Sequence, residues 1–198
     1  MVFTERWFDV PIYFSDLSDD QRLIISDEIS KTLEETNKLN LSSDWGDGHK
    51  TSYSPGNSNY IDKFELENFR NMILFHVENY RFQVNYLIDQ NFDYEFQSWI
   101  NFSENGGFHF EHNHDIGGIS GVYYHKTNGQ DGNITFFHPS ISFIGDYFPF
   151  TSLNKKITYE PKEGRIILFP SWVTHRVEVN KTNDTRISIA FNITFKTK

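Results

Sequence analysis

Of the eight histidines in this chain, three stand at spacings that a metal ion can use. His112 and His114 lie two apart in His109-Phe-Glu-His112-Asn-His114-Asp115. In an extended segment, side chains two apart leave the same face, so both imidazoles would point one way. Neutral imidazole is a good ligand for first-row transition metals. A third, His175, closes Leu168-Phe-Pro-Ser-Trp-Val-Thr-His175, where Pro170 ends one strand and a short turn opens the next. Antiparallel pairing of that next strand with the first segment would set His175 opposite the pair. Arg186 follows eleven residues after His175 and offers a cation for an anionic co-substrate beside the metal. The other histidines read differently. His49 and His76 are expected to be structural or solvent-exposed, with His76 off the apolar stripe of its helix. His125 and His138 are expected to be structural, and His109 to line the pocket.

These residues need a scaffold, and the chain supplies it in two textures. Phe8–Phe14 reads as a short strand. Ser18 with Gln21 forms a capping box, in which the hydroxyl takes an orphan amide and the Gln side chain reaches back. The helix it opens is expected to run from about Asp19 to Asn37. Residues 40–59, rich in Ser, Gly, Asn and Asp, read as a loop, and Trp45 and Tyr53 within it suit a covering role. Leu66, Phe69, Ile73, Val77, Tyr80, Val84 and Leu87 recur at three- and four-residue intervals, the stripe of a second, amphipathic helix.

Past Asn91 the pattern turns to strands: 94–102, 118–125, 133–137, 165–169, 173–178 and 186–195 are β-rich. Turn signals such as Asn105-Gly-Gly and Glu163-Gly164 separate them. Residues 140–158, with Pro149, read as an insertion or lid. Helices first and many short strands second give an α+β, mainly β class, with helices packed on one face of a sandwich or barrel. The chain is expected to form one domain over 1–198: a helical support region at 1–92 and a core at 93–198 that carries the metal site.

Composition narrows the function classes. With 198 residues there is room for one substantial core, and 20 Phe, 10 Tyr and 4 Trp make that core aromatic. A net charge of −9 without any basic block argues against nucleic acid or an anionic membrane as the main partner. No cysteine is present, so a metal must take imidazole, carboxylate or water. The N-terminus lacks a basic start followed by an apolar run, and no stretch approaches twenty apolar residues, so the expected location is cytoplasmic.

From about Tyr94 to Phe195 the chain resembles the Fe(II)/2-oxoglutarate-dependent dioxygenases of the prolyl-hydroxylase-like group. More narrowly, it is similar to an uncharacterised 2OG-Fe(II) oxygenase family found in marine bacteria and phages. The resemblance rests on landmarks in the family's order. A glycine-led His-x-His comes first, then Ser120-Gly-Val-Tyr-Tyr124 and Gly132-Asn-Ile-Thr-Phe136. Glu163-Gly-Arg-Ile-Ile-Leu-Phe-Pro-Ser171, His175 and Arg186-Ile-Ser-Ile-Ala-Phe-Asn192 complete it. It implies a double-stranded β-helix (jelly roll) and iron ligation by His112, His114 and His175. It also implies that Arg186 pairs with the distal carboxylate of 2-oxoglutarate, with Tyr124 and Ser188 beside it. The activity implied is hydroxylation of a peptidyl or small-molecule substrate using O2, with release of succinate and CO2 and with ascorbate as a supporting reductant.

One departure stands out. The superfamily uses His-x-Asp/Glu, whereas here His-x-His is followed at once by Asp115. Strand spacing and family pattern favour His114 as the second ligand; a bulge would instead let Asp115 bind. Two other classes stay open. One is a three-histidine, cupin-type metal enzyme that does not use 2-oxoglutarate. The other is a non-catalytic jelly-roll binding or virion-associated module, with Trp45, Trp99 and Trp172 for recognition.

Overall fold

The computed structural model describes residues 10–39, 41–43, 48–56, 58–85, 92–114, 118–139 and 155–197. Within them the elements run β1 (Tyr13–Asp16), α1 (Asp19–Ser30), α2 (Leu33–Thr36), β2 (His49–Thr51), α3 (Tyr60–Lys63), α4 (Glu67–Gln83), β3 (Phe92–Ser103), β4 (His109–His112), β5 (Gly118–Lys126), β6 (Ile134–Phe137), β7 (Lys156–Tyr159), β8 (Arg165–Pro170), β9 (His175–Val177) and β10 (Arg186–Thr197). The strands form two antiparallel sheets, ordered β1-β8-β5-β10-β3-β2 and β4-β9-β6-β7. Together they make a jelly roll with helices against one sheet.

Strand β10 explains why the larger sheet has two different faces. Its side chains alternate, as a pleated strand requires. Ile187, Ile189, Phe191 and Ile193 join Ile100, Phe102, Ile119, Tyr123, Ile166 and Leu168 in a core shared with helix residues. The helices contribute Ile25 and Ile29 from α1, and Phe69, Ile73, Val77 and Tyr80 from α4. The alternate residues Arg186, Ser188 and Ala190 line a cavity on the opposite side. A smaller core of Tyr124, Ile134, Phe136, Ile167, Phe169 and Val173 lies on that side. Gly121 is required where β5 lies between β8 and β10. A Cβ there would meet the Phe191 ring at 2.5 Å and Leu168 Cδ2 at 2.7 Å.

Several local expectations hold. The capping box at Ser18 and Gln21 forms, and Leu66, Phe69, Ile73, Val77 and Tyr80 are buried along the helix stripe. Val84 is half-buried, and Leu87 lies outside the described residues. His76 is buried rather than exposed, and it shares a 2.7 Å hydrogen bond with the Tyr13 hydroxyl.

Others need correction. The expected helix from Asp19 to Asn37 breaks after Ser30. There Thr32 turns its hydroxyl onto Ile29 O at 2.7 Å, a local bond that competes with helix continuation. The break brings Thr32 and Thr36 to the Tyr60 hydroxyl, at 2.5 and 3.0 Å. Among the described residues the first strand is Tyr13–Asp16, paired with β8 as far as Asp16 opposite Arg165; of the expected Phe8–Phe14 strand, Phe8 and Asp9 lie outside the described residues. The expected loop at 40–59 contains β2, whose His49 and Thr51 pair with Ser103 and Asn101. The expected insertion at 140–158 ends in β7, which pairs with β6; residues 140–154 lie outside the described residues, as does Trp45.

Candidate active site

The three histidines meet, although not by the geometry their spacing implies. His112 ends β4 and stands directly opposite His175 of β9. His114 lies past the end of β4, so the same-face rule for a strand does not apply to it. The chain there turns toward the segment after β8, and His114 N–H donates to Ser171 O at 2.9 Å. Its ring nevertheless returns to the group. Ring centroids are 4.4 Å apart for His112 and His175, 5.3 Å for His114 and His175, and 5.4 Å for His112 and His114. Their ligand atoms all lie within 4.8 Å of one another. Asp115 lies outside the described residues.

Hydrogen bonds hold two of these rings in the ligating tautomer. His112 Nδ1–H donates to Phe110 O at 2.7 Å, and His175 Nδ1–H donates to Val173 O at 2.9 Å. A carbonyl can only accept, so each Nδ1 carries the proton and each Nε2 keeps its lone pair. Burial lowers the pKa of all three, and with the neighbouring imidazoles it brings His114 to about 4 and His175 to about 3. Neutral imidazoles this close fit a single first-row ion, which would sit about 2.1 Å from each nitrogen.

Across the cavity, β10 sets Arg186 in the larger sheet, 4% exposed. Its Nη1 donates to Asp131 O at 2.7 Å and to Gly132 O at 2.6 Å. The nearby Asp131 carboxylate is engaged elsewhere, accepting from Thr127 Oγ1 at 2.6 Å and Asn128 N–H at 3.0 Å. The guanidinium is therefore buried on carbonyl dipoles rather than on a carboxylate, and burial lowers its pKa. Gly132 has a φ of +104°, and a Cβ there would clash with Glu178 O and come within 2.9 Å of Arg186 Nη1. Only glycine leaves this seat open. A register shift between Ile187 and Ser188 puts Tyr124 of β5 directly across from Ser188. Burial raises the Tyr124 phenol to about 12, so it is a neutral donor beside the guanidinium. The structure thus brings His112, His114, His175, Arg186, Ser188 and Tyr124 to one cavity of about 230 Å³.

In the cavity's third wall, sequence reasoning missed Thr51 and Asn101, and it named Tyr53 only as part of a covering loop and Trp99 only for a binding module. Thr51 ends β2 and Tyr53 follows it, and Trp99 and Asn101 face inward from β3. Tyr53 N–H donates to Thr51 Oγ1 at 3.1 Å, and the Tyr53 ring packs edge-on to Trp99 at 5.1 Å. His109 lines the cavity and shares a 2.9 Å Nε2–Nε2 hydrogen bond with His49. Burial lowers both pKa values, His49 to about 4 and His109 well below its ordinary value. A signal for this wall existed: Trp99, Asn101 and Ser103 alternate with apolar Ile100 and Phe102. It gains meaning only once the register with β10 and β2 is known.

Residues 97–192 match the family model described as a putative 2OG-Fe(II) oxygenase. Among solved structures, a Pseudomonas putida prolyl-4-hydroxylase matches at 16% identity and a TM-score of 0.60, covering 94% of this chain and 92% of that one. A Trichoplax adhaerens prolyl hydroxylase in complex with a hypoxia inducible factor peptide fragment matches at 13% identity and a TM-score of 0.58, covering 92% and 82%. HygX from Streptomyces hygroscopicus, with nickel and 2-oxoglutarate bound, matches at 10% identity and a TM-score of 0.55, covering 89% and 87%. At these identities the structural likenesses establish the fold. No curated protein sequence matches the chain. Among the described residues, no helix is long and apolar enough to cross a membrane.

Proposed function

We propose, for a chain whose residues 97–192 belong to the 2OG-Fe(II) oxygenase family, that it hydroxylates a peptidyl or small-molecule substrate with Fe(II), 2-oxoglutarate and O2, releasing succinate and CO2. One observation carries this reading. Three neutral imidazoles and a buried guanidinium seated on carbonyls line the same cavity.

His112, His114 and His175 would hold iron through ring nitrogens, and iron with its co-substrate supplies the oxidising chemistry when bound. The remaining tasks fall to the chain. Arg186 presents a planar fork suited to the distal carboxylate of 2-oxoglutarate, and Tyr124 and Ser188 add hydroxyl donors. Val122, Ile134 and Phe169 make the lining around this seat apolar, which keeps water out. The bonds from His112 to Phe110 O and from His175 to Val173 O keep both rings aimed at the metal. Residues 1–198 are taken as one working unit, because helix residues and the larger sheet share a core. His114 is taken as the second ligand, since its ring lies beside His112 and His175.

A cupin-type enzyme that uses three histidines and no 2-oxoglutarate is the second reading. It is favoured by the all-imidazole ligand set among the described residues. One experiment separates the two: succinate formation from 2-oxoglutarate with Fe(II) and ascorbate, alongside 2-oxoglutarate titration with and without metal. Metal-dependent binding with succinate above the blank supports the oxygenase. The absence of both turnover and metal-dependent binding would overturn it.

A further inference from the structure

One short turn holds two of the three metal-site histidines, and a row of buried polar side chains ties that turn to the larger sheet. The turn is residues 170–173, at the end of β8, closed by Val173 N–H donating to Pro170 O at 2.9 Å. The Val173 carbonyl accepts from the His175 ring, and the Ser171 carbonyl accepts from His114 N–H. Ser171 N–H also donates to Gly118 O at 3.0 Å. Through its backbone, Ser171 thus fixes both His114 and the first residue of β5.

Ser171 is the one polar side chain that the turn buries, since Pro170 and Val173 are apolar and Trp172 is exposed. Its hydroxyl lies 2.9 Å from Ser120 Oγ of β5, and Ser120 Oγ lies 2.7 Å from Asn192 Oδ1 of β10. Asn192 Nδ2 donates to Gln97 Oε1 of β3 at 2.9 Å. Ser120, Asn192 and Gln97 are level with one another across three neighbouring strands. By alternation along β10, Asn192 shares the face of Arg186, Ser188 and Ala190. An amide oxygen only accepts and a hydroxyl carries one proton, so Ser120 donates to Asn192 and Ser171 donates to Ser120. The chain therefore runs in one direction, from Ser171 through Ser120 and Asn192 to Gln97. Ser120, Ser171 and Asn192 are all buried, and desolvating them costs free energy that apolar side chains would not. What directed hydrogen bonds add in a buried place is a single geometry.

We propose that Ser171, Ser120 and Asn192 are positioning residues for the metal site: through the 170–173 turn they set His114 and His175 at the separation that one ion requires. The inference rests on the proposed three-histidine site and is independent of 2-oxoglutarate. None of the three lines the cavity, so each acts through the turn rather than on the ion. His114 depends on them most. It lies beyond the end of β4, and its backbone bond to Ser171 O is only as fixed as Ser171 itself.

The test reads affinity and ligand geometry with Co(II), whose visible absorption reports its coordination. Ser171→Ala and Ser120→Ala should each weaken Co(II) binding roughly tenfold, as loss of a group that orients a ligand does, and should change the spectrum of the bound ion. Because both act through one chain, the double variant should lose little more than either alone. Thr135→Val is the control. Thr135 is equally buried, and its hydroxyl shares a 2.9 Å hydrogen bond with Thr158 Oγ1, away from the turn. This variant removes a buried hydroxyl of the same kind and should leave Co(II) affinity and spectrum unchanged. Ser120→Ala carries the test if Ser171→Ala does not fold. Affinity within about twofold of wild type, with an unchanged spectrum, in the serine variants overturns the proposal. So does an equal loss in Thr135→Val, which would trace the effect to stability in general. Failure of wild-type protein to bind Co(II) would defeat the three-histidine site, and this inference with it.

Discussion

The two sheets are built very differently, and the difference divides the labour of the site. In the larger sheet, β3 and β10 are twelve residues each and pair from Arg186–Ser103 to Thr197–Phe92. In the smaller sheet the strands are three or four residues long, and β4 pairs with β9 only at His109–Val177 and His112–His175. The long sheet has helices on its far side and carries the buried cation. The short one carries two of the three imidazoles, and the third stands beyond its edge. A charge held without a carboxylate partner needs a wall that cannot shift, whereas ligands can be drawn into place by the ion itself. The smaller sheet should therefore depend on metal in a way the larger one does not.

The sharpest way to break that division is to delete one group from each side. His175→Ala should abolish metal retention, because it removes a ligand and the ring opposite His112 at the end of the β4–β9 pairing. Arg186→Ala should leave metal bound while 2-oxoglutarate affinity falls by roughly a hundredfold, the scale of a charge-assisted bidentate contact. Metal content by elemental analysis and 2-oxoglutarate titration read the two losses separately. If Arg186→Ala binds 2-oxoglutarate normally, its role is wrong. In the same experiment, His114→Ala and Asp115→Ala distinguish the two candidates for the second ligand; only the true ligand should reduce metal retention.

Interior packing tests the larger sheet alone. Ile189 is fully buried among helix and sheet residues, and Ile189→Ala should cost about 3 kcal/mol by lost transfer energy and a cavity. Its neighbour Ser188 faces the opposite way, so Ser188→Ala should cost under about 1 kcal/mol and weaken 2-oxoglutarate instead. Urea midpoints and ligand titration check both. A large stability loss in Ser188→Ala would mean the two faces are not independent.

These contrasts mark what could be read from sequence and what could not. The alternation in 186–193 and the stripe from Leu66 to Tyr80 were legible because strand and helix periods are local. So were His175 and Arg186, which sit on short, strongly patterned segments. His114 was singled out by a rule that does not govern it: the strand stops at His112, and a backbone bond to Ser171, distant in sequence, brings the ring back. Asn101 carried no local mark, since its place in the wall comes from standing between Ser188 and Thr51 across three strands. The helix break at Thr32 has a local bond to Ile29 O, but the partner it serves, Tyr60, is 28 residues away. Long-range register decided each of these.

Metal dependence gives a subtler measure of the division. At a free ion concentration of 100 times Kd, binding should stabilise the fold by about 2.7 kcal/mol. Hydrogen exchange should locate the gain: amides of β4, β9 and the Ser171 turn slow on adding Zn(II), while those of β3 and β10 change little. Uniform slowing across both sheets would show that the smaller one is not separately held by the ion.

The smallest expected effect lies at one of the two short edge strands, β1 and β2, by which the larger sheet resembles the smaller. Strand β1 is an edge of four residues, and its last residue, Asp16, stands opposite Arg165. Asp16 accepts from Arg165 Nε at 2.7 Å and Nη2 at 3.1 Å, and from Lys162 Nζ at 2.7 Å. The Arg165 hydrogen bond is the main cause holding the carboxyl at about 2, with Lys162 adding to it and partial burial opposing. Because the folded pKa is depressed below the unfolded value of about 3.9, the stabilisation is fully present above about pH 4 and is lost as pH falls toward 2. The Asp16 side chain is 32% exposed, so solvent screening reduces the contribution to about 1 kcal/mol. Asp16→Asn should lower the urea midpoint accordingly at pH 7, and the gap from wild type should close as pH approaches 2. A gap that persists at low pH would mean that Asp16 holds the β1 edge by packing and neutral hydrogen bonds rather than by charge.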